Sequence, residues 1–107
     1  LLGHIADAQY LFCSPVLNES KPPLPNERNT AKKEELLKAL RDAFSYCEKA
    51  YSAFTDARAG EAVKLFTMDL NKASALSLNA AHMNEHYGNM ATYMRIKGVI
   101  PASSEKK

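Results

Sequence analysis

The chain contains three histidines, His4, His82 and His86, whose spacing points to metal chemistry. His82 and His86 are four residues apart in a helical pattern, so their imidazoles lie on one face, one turn apart. Such a pair can direct two nitrogens at a single ion ~2.0–2.1 Å away. His4 belongs to a second apolar helix that must pack in the same small core, where three imidazoles without partners would be costly. We therefore predict one metal site held by these residues. The alternative is three separate histidines, each hydrogen-bonded to backbone carbonyls or water.

Three protein ligands leave coordination positions open, which is typical of a catalytic site rather than a structural one. The order of the residues is not His-Glu-x-x-His, the arrangement of zinc proteases. Asp7, three residues after His4, is a candidate to fix the tautomer of that histidine, and an ordinary solvated or capping aspartate fits the sequence equally well. Glu85 precedes His86 but points about 100° away from it, where it could orient a ligand or pair with a neighbouring helix.

Three long helices are predicted to position these side chains, near residues 1–13, 31–54 and 69–97. In the second helix, apolar residues recur every three or four positions over about five turns. The third is the predicted centre of the fold, because its histidine, apolar and small-residue stripes leave little polar surface. Gly98 is placed to end it in the left-handed conformation. Residues 16–29 contain three prolines and are interpreted either as a plain connector or as a lid over the site.

Length and composition favour one compact domain covering residues 1–107, with 46% apolar residues and a net charge of +2. The basic residues are dispersed rather than arranged in a stripe interleaved with aromatics, so we expect no nucleic-acid partner. No apolar run approaches the ~20 residues that cross a bilayer, so we expect no membrane association. Cys13 and Cys47 have no spacing that suggests a partner. They are predicted to be reduced thiols in the core of a cytoplasmic protein.

Three stretches carry a more specific pattern: His4-Ile-Ala-Asp7-Ala-Gln-Tyr10, His82-Met-Asn-Glu-His86-Tyr-Gly88-Asn, and Tyr93-Met-Arg95-Ile-Lys-Gly98-Val-Ile-Pro101. Through them nearly the whole chain resembles the DinB family of small bacterial proteins, which is related to the YfiT-like metal-dependent hydrolases. The resemblance implies an all-α four-helix bundle with a divalent metal held by His4, His82 and His86. It also implies that the first helix is missing, so that this domain is incomplete at its N-terminus and one apolar face is uncovered. The missing helix or a second subunit should cover that face, and a homodimer is the expected assembly.

Characterised relatives in that family are transferases or isomerases that use low-molecular-weight thiols. The leading hypothesis is therefore a metal-dependent thiol S-transferase or hydrolase-like enzyme acting on a small molecule. The second is a non-catalytic, stress-associated metal-binding bundle that acts as a dimer, and the third is a helical bundle without metal. Imidazole ligands suit several ions; we expect zinc or nickel, with iron or copper as alternatives.

Overall fold

The structure, a computed structural model, describes residues 1–29 and 32–106. Its helices are α1 (Leu2–Val16), α2 (Asn26–Asn29), α3 (Lys33–Ser52) and α4 (Lys72–Ile96). Between α3 and α4 lie a 3-10 turn (Asp56–Arg58) and a hairpin of β1 (Ala62–Leu65) and β2 (Met68–Asn71); a second 3-10 turn (Ala102–Ser104) follows α4. The predicted all-α class is confirmed in its main part, and the two-stranded hairpin is the departure from it. The predicted start of the second helix, at residue 31, lies outside the described residues.

The centre of the fold is α1 rather than α4. Ten of the 15 residues of α1 are buried, against five of the 25 in α4. The prediction that α4 is buried on most sides is therefore wrong. At Gly88, in its small-residue stripe, no neighbouring backbone approaches: apart from α4's own local backbone, a methyl group added there would meet no described atom within 4 Å.

The helices α1 and α3 run in the same direction. The rings of Tyr10 and Tyr46 lie side by side, with centroids 4.8 Å apart. Leu2 and Leu40 line one cavity near the starts of both helices, Cys13 is joined to Cys47 further along, and Val16 and Ala50 line another cavity near their ends. Parallel neighbours require the connecting chain to return along the length of α1, ~22 Å at 1.5 Å per residue. The long proline-rich connection therefore has a structural reason independent of any lid.

The two cysteines form a disulfide between α1 and α3, with Cα atoms 5.4 Å apart. The prediction that Cys13 and Cys47 are reduced thiols is therefore wrong. Their side chains lie in one apolar cluster with Val16, Ala50 and Leu76, so the predicted position of both cysteines in the core is correct. Because disulfides persist mainly in oxidising compartments, the cysteines no longer argue for a cytoplasmic location. None of the helices within residues 1–29 and 32–106 combines the length and apolar character needed to cross a membrane.

The hairpin fixes the start of α4. Val63 and Leu65 point inward from β1 and are buried, and Leu65 packs in a cluster with Phe12 of α1. The side chain of Asn71 then accepts a hydrogen bond of 2.8 Å from the Ser74 backbone N–H. Because this cap satisfies one of the free donors of the first turn, α4 begins three residues later than predicted.

The end of α4 follows the prediction. Gly98 has φ 76°, the left-handed conformation that closes a helix. The chain then turns back: the Ser103 backbone N–H donates to the Tyr87 hydroxyl at 2.9 Å, and Arg95 donates to the Ser104 hydroxyl at 2.8 Å. The C-terminal residues are thus packed against α4.

Candidate metal centre

The structure brings the three histidines together. His4 lies in the first turn of α1, and His82 and His86 lie on one face of α4. The Nε2 atom of His82 is 3.2 Å from that of His4 and 3.0 Å from that of His86. One ring nitrogen from each residue falls within 4.8 Å of the others, and all three residues are half-buried.

The protonation of this cluster tests whether it fits a cation. An imidazole nitrogen carries either one proton or one lone pair, so Nε2 of His82 can make one good hydrogen bond. It has two close neighbours, at 3.2 and 3.0 Å. Either one contact therefore brings two protons or two lone pairs together, or both contacts use the same proton or the same lone pair of His82. A cation between the three lone pairs removes the conflict. Two nitrogens bound tetrahedrally at ~2.05 Å are ~3.3 Å apart, close to the observed separations.

The far side of the His86 ring is supported by Asn89. The Asn89 side-chain amide nitrogen lies 3.2 Å from Nδ1 of His86. A 180° rotation of this amide places Oδ1 there instead, where it can accept a hydrogen bond from a protonated Nδ1. That tautomer leaves the Nε2 lone pair of His86 free to face the other two rings. Asn89 thus has the geometry of a residue that orients a metal ligand.

The environment of His82 favours its neutral form. Burial, and then the charges of His86 and His4, lower the pKa of His82 below its usual 6.5, while Glu85 opposes the shift. The ring also packs against Phe12, with centroids 5.5 Å apart. No described residue hydrogen-bonds its buried Nδ1 atom. A neutral imidazole has a lone pair to donate to an ion, so this shift suits a ligand.

A comparison of the chain with models of protein families shows which family this chain with its cluster of histidines belongs to. The family model named DinB family matches residues 1–105. The chain belongs to the DinB family. Curated proteins gave no match to it. Membership confirms the resemblance read from the sequence and is consistent with a metal-binding helical domain, with the three histidines together at one site.

The two carboxylates near the candidate ligands of this DinB chain, Asp7 and Glu85, differ in burial. Asp7 is buried, and its Oδ1 accepts hydrogen bonds from the Asn26 side chain at 2.9 Å and the Asn26 backbone at 3.3 Å. It therefore ties the end of the long loop to α1, one turn from His4. Its predicted role in fixing the tautomer of His4 stays a prediction. Glu85 is exposed and acts on His82 through its charge.

Sequence reasoning missed a buried polar network one turn before His82. The Asn79 side-chain amide donates to Gln9 at 3.1 Å and to the Tyr51 hydroxyl at 3.1 Å. Tyr51 in turn donates to the Leu76 carbonyl at 3.0 Å. The network joins all three long helices of the DinB chain and sets the position of α4 against α1. The available signal was a polar residue, Asn79, three residues before a ligand candidate on a helix.

Proposed function

We propose that this chain is a metal-dependent enzyme that acts on a small molecule, as a thiol S-transferase or a hydrolase-like enzyme. The convergence of three histidine nitrogens carries the proposal, with His82 at 3.2 Å from His4 and 3.0 Å from His86. These three residues would hold one divalent ion, zinc or nickel before iron or copper. The second conclusion from the same geometry is that three ligands leave positions for a substrate.

A divalent ion at this position would lower the pKa of a bound thiol or water and so supply a nucleophile near neutral pH. The residues of the chain supply the rest. Asn89 fixes the ring of His86, and the buried setting of His82 keeps that ring neutral. Phe12 closes one side of the His82 ring to water. The half-buried histidines leave another side accessible, as a small-molecule substrate requires.

Metal analysis of the natively purified protein is the first test. About one ion per chain is expected, and a content below ~0.1 per chain would support a bundle without metal. The second test measures conjugation of a low-molecular-weight thiol to an electrophile. Activity should disappear on chelation, return with the metal, and be absent from His82→Ala protein. Turnover that survives both chelation and this substitution would contradict the proposal.

The alternative is a metal-binding bundle without catalysis that acts as a dimer. Exposed aromatic side chains favour it, because Phe44 is 50% exposed and Tyr93 is 61% exposed. A homodimer would cover such residues. This protein would contain metal and be dimeric, but it would show no turnover with any thiol and electrophile. The two functions are therefore separated by the activity assay rather than by the metal content.

We further propose that the loop between α1 and α3 borders the mouth of the site. The hydrogen bonds between Asp7 and Asn26 support this, because they hold the loop one turn from His4. Replacing residues 18–24 with a Gly-Ser linker should leave metal content unchanged but alter substrate preference. Unchanged preference across several electrophiles would leave the loop as a connector only.

A further inference from the structure

The turn at the tip of the hairpin holds an aromatic residue in an unfavourable backbone conformation. Leu65 of β1 pairs with Met68 of β2, so Phe66 and Thr67 make the connection between the strands. Phe66 has φ 56°, in the left-handed region, where a side chain with a Cβ is disfavoured and where such turns normally carry Gly, Asn or Asp. Asn18 is the other non-glycine residue with positive φ in residues 1–29 and 32–106, and asparagine adopts this conformation readily. A bulky aromatic residue at this position therefore needs a reason beyond the turn itself.

Packing in the core does not provide that reason. Val63 and Leu65, the inward residues of β1, are 8% and 1% exposed, whereas Phe66 is 60% exposed. Most of its ring is therefore in contact with water, and glycine or asparagine would close the hairpin with less strain and less apolar exposure. Strained conformations of this kind are concentrated at ligand-binding sites, where the position of one side chain matters more than stability.

The Phe66 ring is linked to the histidine cluster through α1. Its centroid is 6.3 Å from that of Phe12, with the ring planes at 89°, and Phe12 also contacts His82, with centroids 5.5 Å apart. Leu65 and Met83, which follow or precede these residues directly in the sequence, pack in the same cluster as Phe12. The hairpin tip and the turn of α4 that carries His82 therefore meet at one residue of α1. Phe66 is no further from the His82 ring than the two spacings together, which is within the length of a small organic molecule.

The exposed ring offers an apolar contact rather than a charged one. Lys64 and Asp69, the charged residues of the two strands, lie directly opposite each other and pair with one another at 4.0 Å. Phe12 is only 7% exposed, so Phe66 supplies the accessible surface and Phe12 supports it from below. An aromatic ring attracts a second ring through edge-to-face or offset stacking, as the contact between these two residues already shows. The surface is therefore suited to an aromatic group.

We propose that Phe66 contacts the substrate of the candidate metal centre and binds an aromatic group of that substrate. The phenyl ring of Phe66 forms the outer wall of a subsite, and the histidine cluster lies at its inner end, beyond Phe12. The substrate class is thereby narrowed to small molecules that carry an aromatic ring a few bonds from the group that reaches the metal. This inference rests on the proposed function, since the subsite has a use only when a substrate is bound at the histidines.

The test uses phenylacetohydroxamate and acetohydroxamate, which bind a metal through the same pair of oxygen atoms and differ by one phenyl group. Cobalt(II) replaces the native ion, because imidazole ligands accept it and its visible spectrum changes when a further ligand binds. The wild-type protein should bind the phenyl compound roughly tenfold more tightly than acetohydroxamate. Phe66→Asn should reduce this preference to about twofold or less, because the stacking ring is lost. Phe66→Tyr keeps the ring and should keep the preference.

Phe66→Asn also separates binding from folding, because asparagine tolerates the left-handed conformation. Its urea midpoint should equal that of the wild type or exceed it, although the preference for the phenyl compound is lost. Phe66→Gly, which suits the same conformation, takes its place if Phe66→Asn fails to fold. Phe44→Ala is the matched control, since Phe44 is 50% exposed but lies on α3, which carries none of the three histidines. It should leave the preference unchanged.

The outcomes distinguish the subsite from the proposed function. Equal affinity of the wild type for the two hydroxamates would overturn the subsite and leave the metal centre intact. A preference that survives in folded Phe66→Asn or Phe66→Gly protein would also overturn it, because another residue would then hold the phenyl group. If the protein binds no cobalt, or if neither compound changes the spectrum, the metal centre itself is contradicted, and the subsite is overturned together with the proposed function.

Discussion

Reduction of the Cys13–Cys47 disulfide should lower the free energy of unfolding by about 3.8 kcal/mol. The bond closes a loop with a sequence separation of 34. The chain-entropy relation for a loop of that length gives about 3.8 kcal/mol at 25 °C, through restriction of the unfolded chain. A domain of 107 residues has a total stability of roughly 5–15 kcal/mol, so the disulfide supplies a quarter or more of it.

The measurement is urea unfolding followed by circular dichroism, with and without a dithiol reductant. For a slope of about 2 kcal/mol/M, the midpoint should fall by roughly 2 M on reduction. The Cys13→Ser/Cys47→Ser double variant is the control, because its midpoint should not respond to reductant. Equal midpoints for the oxidised and reduced wild type would refute the reasoning. So would two free thiols found by alkylation of protein purified without reductant.

Three further predictions concern the histidines and one ion pair. Single changes of His4, His82 or His86 to alanine should each lower bound zinc at least tenfold by elemental analysis; full occupancy in His4→Ala would limit the site to the pair on α4. Zinc affinity, measured by competition with a chromogenic chelator, should fall as the pH drops below about 6.5, because protonated imidazoles no longer bind the ion. Burial lowers the pKa of His82, so this ligand should be protonated only at a lower pH. A flat profile from pH 7.5 to about 5 would count against histidine ligands. Glu61→Gln should lower the urea midpoint at neutral pH, because the Lys72 side chain, which is only 5% exposed, loses the carboxylate that lies 2.8 Å from its Nζ atom. The Lys72 hydrogen bond lowers the pKa of Glu61 below 4.5, so this stabilisation is complete above pH 4.5 and is lost as the pH falls through the lowered value. The urea midpoints of the variant and the wild type should therefore converge in acid. A difference that stays constant with pH would contradict the pairing.

Local patterns predicted the long helices and the proximity of the three histidines, because both follow largely from spacing along one chain. Apolar positions every three or four residues were sufficient for α3, and the four-residue interval placed His82 and His86 on one face. That His4 would join them needed only the assumption that two apolar helices share one small core. Asn89, three residues after His86, followed the same helical rule but was overlooked.

The errors concern contacts between distant segments. No local signal pairs Cys13 with Cys47, because their proximity depends on α1 and α3 running in parallel. The four-residue strand β1 was too short for periodicity to separate strand from helix, and only its pairing with β2 settles the matter. The burial of α4 was overestimated because its stripes were counted without knowing which neighbours were present.

The junction between the hairpin and α4 determines which way the two α4 histidines face. The backbone N–H groups of Lys72 and Ala73 donate to the Glu61 and Ala59 carbonyls, at 2.9 and 3.1 Å, and so fix the rotation of α4 about its axis. One residue added between Ala73 and His82 would turn both α4 histidines by about 100° away from His4. Seven added residues would restore the face to within ~20° but move it ~10 Å along the axis. Neither insertion preserves the cluster, so the spacing between the strand and the histidines is as much a requirement of the site as the histidines themselves.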